Sequence, residues 1–290
     1  MTVRAQLKGL SKKSDFFDSP FIAGKMPVTP VSVSRRQLLL PVSLKRLHVR
    51  DSRAHRVGQR EYRHRPLRTG DIDLFEIRVG GAEEDGVVGL CVGTRPDCCP
   101  DECLDLLSSY RDLGKDVIVE LGLQTALDHT LKNINRGHDF SSYARTAERI
   151  RRRNLKICTH LILGLPGESL EDNIFSLNAV LDAGTDGIKL HPLHIVRGSI
   201  MAKQYRAGEI RLLSLDEYTG RACELIARTP ARIVFHRISA TARSPFLIAP
   251  DYCEKKFPVI DSVTGYLSRY GVQGSAIGDP FIPELFFAEK

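Results

Sequence analysis

Five short stretches of the chain carry residues able to do chemistry. "GTRPD" (93–97) sets Arg95 beside Asp97, and "ELGLQT" (120–125) puts Glu120 inside an apolar run with Gln124 behind it. "NRGHD" (135–139) holds Arg136 and His138, and "GLPGE" (164–168) holds Gly164, Gly167 and Glu168. "KLHPLHIVRGS" (189–199) adds Lys189 and His191. A carboxylate within an apolar strand must find a donor or meet solvent, so Glu120 calls for a partner or a ligand. Glycines let backbone approach a ligand without a β-carbon in the way. Each stretch also has a plain structural reading. Arg95 and Asp97 make a local ion pair around a turn proline, His138 and His191 serve as satisfied structural histidines, and "RIRRR" (149–153) forms a solvated helix face.

These stretches follow a regular sequence of elements. "GVVGLCVGT" (86–94), "DVIVELGL" (116–123), "KICTHLIL" (156–163) and "DGIKLHPL" (186–193) read as buried strands, with "RIVFHRI" (232–238) as a fifth. Between them, Leu104, Leu107 and Tyr110 recur at helical spacing, as do Tyr143, Ala147 and Ile150, and Leu170, Ile174, Leu177 and Leu181. Ser169 with Asp172, and Ser214 with Glu217, have the spacing of helix-capping pairs. Strands alternating with amphipathic helices describe βα units and a parallel sheet. In such folds chemistry gathers at the C-terminal ends of the strands, where all five stretches lie.

Composition sets the outer bounds. With 290 residues, 42% hydrophobic and 27% charged, the chain has the makeup of a globular protein, and no apolar run nears membrane-span length. Seven scattered cysteines point to reduced thiols in the cytosol, not to a disulfide framework. Residues 1–80 carry net charge +10 and the remainder −3. Residues 1–82 lack sustained periodicity and read as a basic, poorly ordered arm, with a transit peptide or an RNA-binding arm as alternatives. The expected organisation is this arm, a βα portion over 83–240, and a C-terminal extension over 241–290.

Together the stretches resemble the radical S-adenosylmethionine (radical SAM) superfamily, in its YhcC-type branch. The matching text is "GVVGLCVGTRPDC", "VELGLQTALDHTLKNINRGHDF", "ICTHLILGLPGE" and "DGIKLHPLHIVRGSIMAKQYRAGE". The radical SAM domain of the Elongator catalytic subunit is similar more distantly. The resemblance implies an α/β fold, a partial (βα)6 TIM-like barrel, with S-adenosylmethionine (SAM) at the strand ends. It places Glu120, Gln124, Ile162, Gly164, Gly167 and Glu168 on the cofactor side, with Ile162 near the adenine and Glu120 and Gln124 near the ribose or methionyl part. It places Arg95, Asp97, Arg136, His138, Lys189 and His191 on the substrate side. A [4Fe-4S] cluster is the second implied cofactor, and RNA the substrate class raised by the Elongator likeness.

One part of the pattern is missing. The implied cluster needs three cysteine thiolates from the N-terminal part, and this chain has no cysteine before Cys91. "CCPDEC" (98–103) reads as an ordinary helix start with the wrong spacing, so no metal ligands are assigned. The first barrel strands lack a match, and they are expected to be absent or altered. Two functional classes remain: a radical SAM enzyme acting on an unknown substrate, or a remnant or non-catalytic nucleoside- or RNA-binding module without a cluster. A phosphate-binding (βα) barrel enzyme would account for a glycine-rich strand end, but not for TRPD, NRGHD and GLPGE together.

Overall fold

The computed structural model describes residues 31–34 and 88–281. Apart from residues 31–34, the N-terminal arm expected over 1–82 lies outside the described residues. Six strands form one sheet in the order β1-β2-β3-β4-β5-β7. They are β1 (Val31–Ser34), β2 (Gly89–Thr94), β3 (Asp116–Gln124), β4 (Lys156–Leu163), β5 (Gly187–Pro192) and β7 (Val234–Arg237). β1 runs antiparallel to β2 at one edge, and the other neighbours are all parallel. A short second sheet pairs β6 (Ile195–Val196) with β8 (Leu247–Ala249).

Helices connect the parallel strands: α1 (Asp101–Asp112), α2 (Asp128–Asn133), α3 (Phe140–Arg152), α4 (Leu170–Asp182), α5 (Ile200–Arg206) and α6 (Leu215–Ala227). α7 (Lys256–Tyr270) follows β8 and packs on α6. The architecture is α/β, a parallel sheet curved as a partial barrel with its helices on one side. Both capping pairs close as complete capping boxes, at Ser169/Asp172 on α4 and at Ser214/Glu217 on α6. The arginines of "RIRRR" do form an outer face: Arg149 and Arg153 pair with Asp101 and Asp105 on α1. Among the described residues no helix is long and apolar enough to cross a membrane.

Strand periodicity divides the sheet into two unlike faces. On one, Leu90, Val119, Leu121, Leu123, Ile157, Ile188 and Leu190 are fully buried under the helices, against Leu104, Tyr143, Leu177 and Tyr218. Polar groups deep in this layer are satisfied: Tyr143 Oη lies 2.6 Å from Thr159 Oγ1, which lies 2.9 Å from Thr185 Oγ1, and Tyr218 Oη donates to the Ile238 carbonyl at 2.8 Å. The opposite face carries Cys91, Glu120, Cys158, His160, Ile162, Lys189 and His191, as the registers require. This alternation fixes which residues share the polar face.

The division is measurable. Leu121→Ala opens a cavity in the helix-side core and should cost about 2–5 kcal/mol. Ile118→Ala, on the half-buried opposite face, should cost clearly less in urea unfolding. Equal losses would contradict the two-face assignment.

Candidate functional site

The polar face is built around Glu120. Its neighbour in register on β4 is Cys158, and one step further along β4 and β5 stand His160 and Lys189, themselves paired in register. Lys189 Nζ donates to Glu120 Oε2 at 2.5 Å, and His160 Nε2 lies 3.3 Å from the same oxygen. All three side chains are nearly buried. Burial alone would raise the Glu120 pKa, but hydrogen bonding from His160 and Lys189 and the Lys189 charge outweigh it, holding the carboxyl below its usual range. His160 is pushed down to about 4 by burial, so its imidazole is neutral at pH 7. His191 follows on β5 beside Ile162, its ring centroid 5.5 Å from that of His160. Its Nε2 is buried with no hydrogen-bond partner among the described residues, and burial keeps it uncharged.

TRPD and NRGHD converge at the next step of the same face. Arg136 is buried, and its Nε donates to the Gly122 carbonyl at 3.0 Å, with Nη2 on the same oxygen. Arg95 grips Asp97 as a two-point fork, with Nε to Oδ1 at 2.9 Å. Gly137 has φ +80, and a β-carbon there would stand 3.1 Å from Arg95 Nη2. The NRGHD loop therefore passes directly beside the TRPD guanidinium, and the left-handed backbone there favours glycine. Burial first, then the Arg95 charge, brings Arg136 down to about 10, still protonated at neutral pH. His138 Nε2 is buried without a hydrogen-bond partner among the described residues.

The GLPGE loop is explained largely from within the protein. Gly164 has φ +88, and a β-carbon there would lie 2.9 Å from Leu213 Cγ, so the close approach is to a side chain of this chain. Gly167 has φ +84 with open space around it. Any side chain at Gly167 strains the backbone whatever binds nearby. The Glu168 carboxylate takes a hydrogen bond from Asn173 Nδ2 at 3.0 Å, and Arg221 bonds the Glu168 carbonyl at 3.0 Å. Burial pushes this carboxyl up. Oε2 ties the loop to α4 and the main-chain carbonyl ties it to α6, while Oε1 is buried with no hydrogen-bond partner among the described residues. Ile162 joins a small apolar cluster with Ile134, Leu165 and Leu193 at the strand ends. Gln124 is buried at φ +85, where the β3–β4 register shifts.

The structure thus gathers Glu120, Lys189 and His191 into one polar layer, with Arg95, Asp97, Arg136 and His138 beside it, and turns the Glu168 side chain inward. Sequence reading missed His160, because "KICTHLIL" scans as an aliphatic strand. Its signal was period 2: Cys158, His160 and Ile162 share one face.

The cysteines do not fit an iron–sulfur cluster. All seven are free thiols among the described residues. Among those residues no three His, Cys, Asp or Glu side chains group to hold a metal ion. Cys99 is buried in the helix-side core, and Cys103 stands on the first turn of α1.

Residues 54–177 match the radical SAM superfamily, and residues 185–269 match the Radical_SAM C-terminal domain. The chain belongs to the radical SAM superfamily. The first match begins inside the basic segment, and the second crosses the boundary expected at residue 240. Protein YhcC of Escherichia coli (strain K12) is 55% identical over 197 residues, which is 68% of this chain and 64% of that protein. Uncharacterized protein YtqA of Bacillus subtilis (strain 168) is 35% identical over 187 residues, 64% of this chain and 58% of YtqA. The chain spans less than two thirds of the length of either relative. The archaeal Methanocaldococcus infernus Elp3 with an N-terminal deletion (1-46) shares the fold, with TM-score 0.57 at 23% identity over 64% of this chain and 43% of that one.

Within this radical SAM fold the Glu120–Lys189 pair has a testable pH signature. Its stabilisation is present above the ordinary carboxylate value of 4.5 and is lost as pH falls below it. Lys189→Met leaves a buried carboxylate unpaired and should cost about 3–5 kcal/mol at pH 7. The gap from the parent should narrow at pH 3, where the unpaired carboxyl protonates readily. Urea unfolding at both pH values checks this, and an unchanged gap would contradict it.

Proposed function

We propose that this chain carries the adenosyl-binding part of a radical SAM barrel, with SAM or a related adenosyl compound lying across the ends of β2–β5. The observation that carries this reading is His191 Nε2, buried with no hydrogen-bond partner among the described residues and one ring away from the His160 that meets Glu120. Glu120 Oε2 accepts from Lys189 Nζ and lies 3.3 Å from His160 Nε2, which holds the carboxylate ionised on the polar face. A charged acceptor held ionised beside the neutral, unpartnered His191 suits the hydroxyl and amine donors of a ribose or methionyl group. Ile162, next to His191 and within an apolar cluster, suits a purine face.

In this reading Lys189 and His160 orient the carboxylate, Glu120 and His191 bind polar ligand groups, and the apolar cluster excludes water. Bound SAM supplies an activated sulfonium, and a [4Fe-4S] cluster would supply the electron for radical chemistry, but the cysteines do not fit that cluster. The reading therefore stops at binding. RNA as a partner is carried by the resemblance to the Elongator subunit alone. Free thiols at all seven cysteines suit a reducing, cytosolic setting.

Calorimetric titration of the full chain with SAM tests the proposal. Glu120→Gln removes a charge-assisted hydrogen bond worth roughly 1.5–3 kcal/mol, so affinity should fall about ten- to a hundredfold. His191→Asn should also weaken binding, and Arg152→Ala, on the exposed helix face, should not. Parental binding that neither inner substitution weakens would put the ligand elsewhere. No parental binding would defeat the reading.

A further inference from the structure

We infer that this chain does not hold a thiolate-ligated iron–sulfur cluster, and that its radical SAM barrel works as a cluster-free binding scaffold. The inference rests on where the seven thiols are. Three thiolates must point at one cluster, from one side, to leave an iron open to the ligand. Here only Cys91 and Cys158 share the polar face, flanking β3 with Glu120 between them. A carboxylate held ionised at that point repels thiolates on either side. Cys98 ends the short 3-10 turn Pro96–Cys98, and Cys99 sinks into the helix-side core. Cys103 rides on α1, and Cys223 on α6 directs its Sγ to the Val263 carbonyl at 3.8 Å. Cys253 is fully buried in the turn Asp251–Glu254. The thiols are thus spread over both sides of the sheet.

The electrostatics point the same way. Thiolates form where positive charge lowers the thiol pKa. Burial, with Glu120 adding to it, raises Cys91 to about 11, and burial raises Cys99 and Cys223 to about 12 each. Cys98, Cys103 and Cys158 are also raised, chiefly by burial. These are the surroundings of thiols that pack, not of thiols that ligate.

Without the cluster no electron reaches the sulfonium, so bound SAM would stay intact under reductant. The purified full chain should be incubated anaerobically with ferrous iron, sulfide and dithiothreitol, desalted, and assayed for iron, acid-labile sulfide and visible absorption. The expected result is iron and sulfide far below stoichiometry and no charge-transfer band. A stoichiometric cluster would overturn the inference, and its loss in Cys91→Ala, Cys98→Ser or Cys158→Ala would identify the ligand. Titration of the metal-free chain with SAM reads the adenosyl proposal separately, so either can fail without the other.

Discussion

A carboxylate in the middle of a parallel strand is tolerable only if neighbouring strands bring it a cation. Glu120 meets Lys189 from two strands away, with His160 on the strand between. That contact exists only if β3, β4 and β5 are adjacent, parallel and in this register. A slip of one residue would turn Glu120 into the helix layer, where Leu121 and Leu123 now pack. The same register that pairs the charges also buries the aliphatic face under α1, α3, α4 and α6. Core and polar layer are two results of one alignment.

The elements were legible because their signals were local. Aliphatic strand runs, helical stripes and two capping boxes all appear where the residues call for them. α2, α5 and α7 were not, because short or partly exposed helices leave weak stripes. The site was half legible. Glu120 and Lys189 stood out as charges in apolar strands, but their pairing spans 69 positions and depends on strand order. His160 was hidden by its aliphatic neighbours. Gly164 was recognisable as a close-approach glycine, yet only the fold identifies Leu213 as what approaches it. Glu168 read as a ligand group, and only the fold shows that Arg221, 53 positions on, holds its main-chain carbonyl.

Membership of the radical SAM superfamily and the disposition of the cysteines pull in different directions, and the structure separates them. This chain has the polar layer, the Arg95–Gly137 contact between TRPD and NRGHD, and the tethered GLPGE loop. These are scaffold features at the strand ends. Electron delivery is a separate capacity and needs thiols converging there. On our proposal, the barrel keeps a binding surface at its strand ends without the means to break the ligand.

The most direct measurement is photolabelling of the full chain with an azido-adenine analogue of S-adenosylhomocysteine, with the modified peptides mapped by mass spectrometry. The account predicts labelling within 93–97, 120–124, 162–168 or 189–194, suppressed by excess S-adenosylhomocysteine. Suppressible labelling confined to the outer faces of α3 and α4, or to α7, would contradict it.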